Sequence, residues 1–236
     1  GDPYPFEGKT NPFSDLLENY SPRPVDPEEM TGGSAARYEE TFHAGTTSIQ
    51  AADAEGWVVS VTPSGAWIPA CIAGETGVGM SQRMQSFVLD PAENPFNVVE
   101  AGKRPRATLT PGLALKDGKP FLSFAVQGGD TQDQNLLQFL LNVVEFGMNV
   151  QEAVEAANIN SFQMRSSFGA HDSDPGRILV QEDTPPWVLA DLRRMGYRVD
   201  TAERTSGPIT AIWFDWEHGT LWGGASDHGH DYGIAW

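Results

Sequence analysis

The sequence holds a single cysteine, few basic residues and no long hydrophobic run. Cys71 alone cannot form an internal disulfide or a cysteine zinc cluster. There are 15 Lys and Arg residues against 32 Asp and Glu residues, which gives a formal net charge of −17. This acidity argues against nucleic acid or an anionic membrane as a partner, because both need a basic patch. No run of about 18 apolar residues occurs, so no membrane-spanning segment is expected.

Two parts of the 236-residue chain differ in character. Residues 1–45 contain six prolines, nine acidic residues and three basic residues, with little apolar periodicity. Such a composition is typical of an extended segment that runs over a surface. Seven Trp, twelve Phe and a hydrophobic content of 39% indicate a sizeable packed core. We therefore expect a compact unit that begins near residue 46.

The pattern of this unit predicts strands, then helices, then strands. Alternating β-forming residues on both sides of short loops predict hairpins. Apolar residues that recur on one helical face, with capping residues before them, predict helices. The predicted hairpins join residues 46–53 to 57–62, 113–115 to 121–126, and 209–216 to 220–224, and the predicted helices cover 136–146, a segment opened by Asn149, and 187–195. Helices placed between strands in this way suggest a layered α+β sandwich.

The first predicted hairpin places two hydroxyl groups side by side. If its loop is residues 54–56, Asp53 pairs with Trp57 and, counting outward, Thr46 lies opposite Ser64. A threonine here also suits an ordinary strand, because threonine favours β structure. As a nucleophile Thr46 would need a base, and its own α-amino group can serve once the Gly45–Thr46 bond is cut.

The glycine pair Gly128-Gly129 follows one predicted strand and precedes a helix. Two glycines allow close approach of the backbone to a ligand, and their N–H groups at a helix start could form an oxyanion hole. A tight strand-to-helix turn would need the same residues.

Short motifs from residue 46 onward resemble the small subunit of γ-glutamyltranspeptidases. They occur in the order of that family and nearly at its spacing. Gly1-Asp2-Pro3 resembles a stretch late in the family's large subunit. The matching motifs are Thr46-Thr47, Ala52-Asp53-Ala54-Glu55-Gly56, Val59-Ser60-Val61-Thr62, Gly74-Glu75-Thr76-Gly77, Gly102-Lys103-Arg104-Pro105, Leu115-Lys116-Asp117-Gly118-Lys119, Gln127-Gly128-Gly129 and Gly224-Ala225-Ser226-Asp227.

The resemblance implies an N-terminal-nucleophile hydrolase with a four-layer αββα sandwich. A large subunit, mostly absent from this chain, would complete the sandwich. Residues 1–45 would be the tail of the large subunit, and residues 46–236 the small, catalytic subunit of the same precursor. Self-cleavage would separate Gly45 from Thr46.

The resemblance also implies a role for each residue of the site. Thr46 would be the nucleophile and Ser64 the hydroxyl that supports it. Gly128 and Gly129 would form the oxyanion hole. No cofactor or metal is expected for this chemistry.

The resemblance breaks where the γ-glutamyl enzymes hold the α-amino and α-carboxylate groups of their substrate. An Asp that accepts from the ammonium group is replaced by Ser86, and a Gln by Arg83. The serine pair that binds the carboxylate becomes Ala107-Thr108. Because an arginine repels an ammonium group, we expect a different acyl preference. Arg83 or Arg106 would then pair with a substrate carboxylate, or else form a surface ion pair.

The predicted activity is transfer of an acyl group, γ-glutamyl or related, from an amide to water or an amine, as in glutathione metabolism. Two alternatives stay open: an acylase for a non-glutamyl amide, and a non-catalytic, uncleaved relative that serves as a binding or scaffold domain. The expected partners are the chain's own large subunit and a small amide substrate, with a higher oligomer of the two-subunit unit as a further option. The resemblance implies a periplasmic or secreted protein.

Four other sequence features could have a functional or a purely structural role. The stretch Asp227-His228-Gly229-His230-Asp231 could bind zinc and define a metal hydrolase, or could form a solvated turn. His43 could assist the cleavage or lie in a plain loop. Trp67 could wall the substrate site or pack in the interior. Cys71, between Pro69 and Ile72, is expected to be buried and unreactive.

Overall fold

The computed structural model of the chain describes residues 46–65, 72–227 and 232–235. The predictions made for residues 1–45, His43, Gly45, Trp67, Cys71 and 228–231 lie outside the described residues.

Nine strands and three α-helices make up the described part of the chain. The strands are β1 (Ile49–Ala52), β2 (Val58–Val61), β3 (Gly112–Lys116), β4 (Lys119–Val126), β5 (Ile159–Ser161), β6 (Arg177–Gln181), β7 (Arg198–Ala202), β8 (Ile209–Asp215) and β9 (Thr220–Ala225). The helices are α1 (Gln132–Val144), α2 (Val150–Glu155) and α3 (Pro186–Arg194), and short 3-10 turns cover Arg83–Ser86 and Gly129–Thr131.

The largest sheet has four antiparallel strands in the order β3-β4-β8-β9. One of its faces packs against α1 and α2 to form the hydrophobic core. Leu122, Phe124 and Val126 supply the contribution of β4, while α1 supplies Leu136 and Phe139. The Phe124 and Phe139 ring centroids lie 5.4 Å apart. Burial of each large apolar side chain contributes about 1.5–3 kcal/mol of stabilising free energy, which holds the sheet and the helices together.

The β1–β2 hairpin covers the opposite face of this sheet. Ser123 of β4 donates a hydrogen bond to Gln50 Oε1, and Ser48 Oγ lies 3.1 Å from Thr210 Oγ1 on β8. Because side chains alternate between the two faces of a strand, Ile49 and the paired Val61 point away from the large sheet. The hairpin therefore turns polar side chains toward the sheet and apolar ones outward.

A second sheet of three strands, in the order β5-β6-β7, was not predicted from the sequence. Strands β6 and β7 are parallel and are connected through α3, whereas β5 and β6 are antiparallel. Strand β5 has only three residues and follows α2 closely, so it lacks the alternation that identifies a strand in isolation. Its buried Asn160 donates to the Thr205 carbonyl, which ties this sheet to the loop before β8.

The three predicted helices are confirmed, with boundaries that differ by one to four residues. Helix α1 begins at Gln132, four residues before the first apolar residue of its periodic face. The predicted capping box is present at α2, where the Asn149 side chain accepts from the Glu152 N–H and the Glu152 side chain accepts from the Asn149 N–H. Helix α3 carries Pro186 in its first turn, a position where the missing N–H costs nothing.

Truncation of the core phenylalanine on α1 should strongly destabilise the protein. Phe139 is 1% exposed, and Phe139→Ala should lower the free energy of unfolding by about 3–5 kcal/mol, because it removes a ring and leaves a cavity. On the same helix, Leu137 is 57% exposed, and Leu137→Ala should cost about 0.5 kcal/mol or less. Urea unfolding of the full-length protein measures both, and equal losses would contradict this core assignment.

Candidate active site

Thr46 and Ser64 form a hydrogen-bonded pair at the open end of the first hairpin. Strands β1 and β2 pair Ile49 with Val61 and Ala52 with Val58, which is the predicted register. The register continues past the strands, since the Thr47 N–H donates to the Pro63 carbonyl over 3.2 Å. Thr46 Oγ1 then lies 2.7 Å from Ser64 Oγ, and either hydroxyl can be the donor. The structure thus brings together the two hydroxyls that sequence counting placed opposite each other.

Two side-chain contacts show how β1 is oriented relative to β4 of the large sheet. Gln50 contacts Ser123, and two residues earlier Ser48 contacts Thr210, which is paired with Ala125. Moving back along β1 therefore corresponds to moving forward along β4, as in an antiparallel arrangement. If the same register continues for two more residues, we expect Thr46 to lie toward Gln127 and Gly128, the residues that follow β4.

The glycine pair adopts a backbone that other residues rarely accept. Gly128 has φ 134° and Gly129 has φ 53°, in the region that favours glycine. The Thr131 N–H and hydroxyl both donate to the Gly128 carbonyl, over 3.1 Å and 2.9 Å. A Cβ on Gly129 would lie 3.2 Å from the Phe168 ring. The pair is therefore a fixed strand-to-helix turn, and its role as an oxyanion hole stays a prediction.

Arg83 lies near Gly65 on one side and near the Phe168 ring on the other. Its side chain is buried, with 9% of the residue exposed. Its Nε is 3.7 Å from where a Cβ on Gly65, the neighbour of Ser64, would be. Its guanidinium carbon is 5.8 Å from the Phe168 ring centroid, and its Nη1 donates to Thr108 Oγ1 over 3.1 Å. The predicted substrate-binding residues Arg83 and Thr108 thus contact each other.

Burial and a nearby carboxylate act in opposite directions on Arg83. Removal from water lowers the pKa of the Arg83 guanidinium, and the charge of Asp130 partly offsets this by raising it. The side chain remains a cation, because the guanidinium of an arginine keeps its proton in proteins.

Asp130 holds a second arginine in the same region. Arg106 Nη2 lies 3.9 Å from Asp130 Oδ1 and donates to Ser167 Oγ and, over 3.4 Å, to the Arg165 carbonyl. Asp130 also accepts from the Ser167 N–H over 2.7 Å. Arg106 is therefore engaged by protein groups on several sides, which favours a supporting role over contact with a substrate.

Ser86 and Ala107 are placed differently from the other predicted substrate-binding residues. Ser86 is 1% exposed, and its hydroxyl lies 2.6 Å from the Arg83 carbonyl and 2.8 Å from the Arg106 carbonyl. Asn97 binds the same loops, donating to the Ser86 carbonyl and accepting from the Arg106 N–H. This geometry favours Ser86 as a residue that fixes the loops. Ala107 is exposed and has no polar side chain to offer.

Sequence reasoning missed Asp130, Phe168 and Ser167. Phe168 and Ser167 lie in an irregular loop about forty residues after the glycine pair, so no local pattern connects them to it. Asp130 directly follows Gly128-Gly129, and an acidic residue in the first turn of a helix is a common stabilising feature. This position was the one local signal for Asp130, and it does not show whether the carboxylate stabilises the helix start or pairs with an arginine.

Neither a metal centre nor a membrane span is found in the described residues. Within 46–65, 72–227 and 232–235, no three His, Cys, Asp or Glu side chains come together as metal ligands would. Over the same residues no helix has the length and apolar character needed to cross a bilayer. The histidines of the proposed zinc stretch lie outside the described residues.

Comparison with solved structures defines the class of this fold. An acivicin-inhibited γ-glutamyltranspeptidase is similar at a TM-score of 0.65 and 26% identity, over 79% of this chain and 100% of that chain. A mutant γ-glutamyltranspeptidase from Helicobacter pylori is similar at a TM-score of 0.62 and 26% identity, over 78% of this chain and 99% of that chain. The fold is thus the α+β fold of the N-terminal-nucleophile hydrolases.

Sequence comparison then gives the family. The family model "Gamma-glutamyltranspeptidase" matches residues 14–235. A glutathione hydrolase proenzyme of Bacillus subtilis subsp. natto is 30% identical over 217 residues, which is 87% of this chain and 34% of that protein. An acylase proenzyme of Pseudomonas sp. strain SE83 is 30% identical over 183 residues, covering 77% of this chain and 30% of that protein. The chain belongs to the γ-glutamyltranspeptidase family, and it spans about a third of the length of these relatives.

A side chain at Gly207 should displace the main chain that leads into the glycine pair. A Cβ there would lie 2.6 Å from the Gln127 carbonyl oxygen, so Gly207→Ala should cost about 1–3 kcal/mol of unfolding free energy through overpacking. Gly223→Ala is the matched control, because nothing lies within 4 Å of its added Cβ. Urea unfolding compares the two variants, and similar midpoints would contradict the close approach of Gly207 to Gln127.

Proposed function

We propose that this chain is the nucleophile-bearing part of an amidase related to the γ-glutamyltranspeptidases, with Thr46 as the attacking residue. The observation that best supports this proposal is the 2.7 Å contact between Thr46 Oγ1 and Ser64 Oγ. The register of β1 against the large sheet, continued by two residues, supports a place for this contact near the end of β4 and its glycine pair. The names of the relatives, glutathione hydrolase and acylase, support chemistry at an acyl carbon.

The reaction begins with a cut between Gly45 and Thr46. The new α-amino group of Thr46 takes the proton of its hydroxyl, since a threonine hydroxyl needs a base at neutral pH. The oxygen attacks the amide carbon, and the negative charge that develops on the carbonyl oxygen is stabilised by the N–H groups of Gly128 and Gly129. The C–N bond breaks, the leaving amine receives the proton, and the acyl group stays on Thr46 as an ester. Water or a second amine then takes the acyl group and returns the proton to the hydroxyl.

Ser64 orients the nucleophile in this scheme. A hydrogen bond of 2.7 Å restricts rotation of the Thr46 side chain, so the oxygen is held in one direction before a substrate arrives. Ser64 itself lies on the strand-paired stretch opposite Thr46, which makes the orientation a property of the hairpin.

A partner from the same precursor is the second part of the proposal. The chain covers 34% of the length of the Bacillus relative, so most of that relative has no counterpart here. We propose that residues 1–45 are the tail of the large subunit and that residues 46–236 are the small subunit. Export to the periplasm or secretion, and a higher oligomer, stay predictions from the resemblance.

The outward face of the first hairpin is the surface on which we place the large subunit. Ile49, Val59 and Val61 are 54%, 52% and 42% exposed, and Trp57 is 74% exposed. Register puts Ile49 beside Val61 on one face. Among the described residues, β1 and β2 pair with no other strand. A two-stranded sheet with an apolar outer face is marginal by itself, so the missing part of the precursor would complete this layer.

The first test concerns the processing of the full precursor. Thr46→Ala should abolish cleavage before residue 46, because the attacking hydroxyl is lost. Thr47→Ala is the matched control: its side chain is exposed and its change should leave cleavage intact. Intact-mass measurement and N-terminal sequencing report the products.

Two results would contradict the assignment of the nucleophile. One is self-cleavage at the same bond in Thr46→Ala. The other is amidase activity in a preparation that contains only uncut chain, which would separate activity from the new terminus. A wild-type precursor that stays uncut and inactive would support the non-catalytic alternative.

The second test concerns the surface for the large subunit. Val59→Glu puts a charge on the outward face of the hairpin and should weaken association of the two processed pieces at least tenfold, because the carboxylate would be buried without a partner. Leu89→Glu, at a residue 83% exposed elsewhere on the chain, should leave association unchanged. Size-exclusion chromatography after processing measures this, and undiminished co-elution of Val59→Glu would place the partner elsewhere.

A further inference from the structure

We propose that Asp130 is a positioning residue for the oxyanion hole, because its carboxylate ties the glycine turn to the loop at Ser167. The inference rests on the proposed function, in which the N–H groups of Gly128 and Gly129 stabilise the charge that develops on the carbonyl oxygen. In this scheme Asp130 does not contact the substrate. It holds the main chain of the glycine pair in one orientation.

The direction of one N–H group follows from the turn itself. The Gly128 carbonyl accepts from the Thr131 N–H over 3.1 Å and from the Thr131 hydroxyl over 2.9 Å. Because a trans peptide unit is planar, the Gly129 N–H points away from Thr131. Glycine offers little steric resistance to rotation, so this direction depends on what holds the residues that follow.

Asp130 supplies an anchor directly after the glycine pair. Its Oδ2 accepts from the Ser167 N–H over 2.7 Å and from the Ser166 hydroxyl over 3.4 Å. Its Oδ1 accepts from the Ser167 hydroxyl, and Ser167 is fully buried. The next residue of the loop, Phe168, has its ring 3.2 Å from the place of a Cβ on Gly129. The loop therefore contacts two consecutive residues of the turn.

The loop that receives this carboxylate is closed by its own hydrogen bonds. The Ser166 N–H donates to the Asp172 carbonyl over 2.8 Å, and the Phe168 N–H donates to Ser166 Oγ over 3.1 Å. His171 Nδ1 lies 2.9 Å from the Ser166 carbonyl oxygen. A segment braced in this way restricts the motion of any group that is bound to it.

Stabilisation of the helix start does not account for these contacts. An acidic residue in the first turn favours a helix through the helix dipole. Asp133 already lies in the first turn of α1, where it is exposed and accepts from the neighbouring Gln134 N–H over 2.8 Å. Asp130 instead directs its carboxylate at a residue 37 positions later. Asp133 is therefore the matched control for Asp130.

The charge of Asp130 gives the test its sign. A carboxylate beside an oxyanion hole opposes, by its charge, the negative charge that develops there. Arg106 Nη2 lies 3.9 Å from Asp130 Oδ1 and offsets part of this effect. If charge alone mattered, removal of the carboxylate would leave kcat unchanged or raise it. A positioning role predicts a loss of kcat.

The experiment measures kcat and KM of the processed, full-length enzyme. The probes are γ-glutamyl, glutaryl and butyryl p-nitroanilide, and the one that the wild type turns over fastest is used throughout. Asp130→Ala should lower kcat, counted per processed chain, by about tenfold or more and change KM less than about threefold, because the hole acts mainly on the transition state. Asp133→Ala should leave both constants within about twofold of wild type.

Two further variants test the contact itself. Asp130→Asn keeps one acceptor oxygen for the Ser167 N–H and should have a kcat between those of Asp130→Ala and wild type. Ser167→Ala removes one donor to Asp130 and should lower kcat about threefold or more. Combined with Asp130→Ala it should cost little more than Asp130→Ala alone, since both changes act through one contact. Urea unfolding and intact mass show which variants are folded and processed.

The outcomes separate the two proposals. Turnover that depends on Thr46, with a wild-type kcat in Asp130→Ala or a loss confined to KM, overturns the role of Asp130 alone. An equal loss in Asp133→Ala does the same. If Asp130→Ala is not folded or processed, wild-type kcat in Ser167→Ala and Asp130→Asn overturns it. Turnover that is the same in wild type and Thr46→Ala, or absent with all three anilides, overturns the proposed function and this inference with it.

Discussion

The hydrogen bond between Thr46 and Ser64 depends on the register of one short hairpin. A slip of one residue would turn every side chain of β1 to the other face, and it would remove Thr46 from Ser64. The three-residue loop at 54–56 sets this register: Asp53 accepts from the Glu55 and Trp57 N–H groups, both over 3.0 Å. A carboxylate at the far end of the hairpin thus determines which hydroxyls meet at its open end.

A polar layer between the hairpin and the large sheet then fixes the hairpin in space. Apolar packing is non-directional and would tolerate sliding. The contacts of Ser48 with Thr210 on β8 and of Gln50 with Ser123 on β4 are directional and hold the hairpin in one position on the sheet. The apolar face left outward is the complement of this arrangement. The polar side chains of the hairpin thus fix its position on the sheet, and its apolar side chains stay on the outward face.

Local patterns carried most of what could be predicted from the sequence. The first hairpin and the capping box of α2 follow from residues within twenty positions of one another, and both are confirmed. The three-stranded sheet was missed because it joins β5 to segments that follow an irregular loop. The same reason hid Phe168, whose ring approaches Gly129. Asp130 was missed because an acidic residue in the first turn of a helix does not reveal its arginine partner, Arg106. Long-range packing of loops has no periodic signature.

The hydroxyl pair and the surroundings of Arg83 are built by different kinds of segment. The proposed chemistry belongs to strand ends and to a glycine turn, where geometry is set by register and by main-chain conformation. The surroundings of Arg83 come from separate loops, represented by Gly65, Thr108 and Phe168. Loops accept substitution more readily than paired strands do, so the residues around Arg83 can change while Thr46 and Ser64 keep their places. The hydroxyl pair is held by strand pairing and the buried Arg83 by contacts between loops, so a substitution in one set of contacts need not disturb the other.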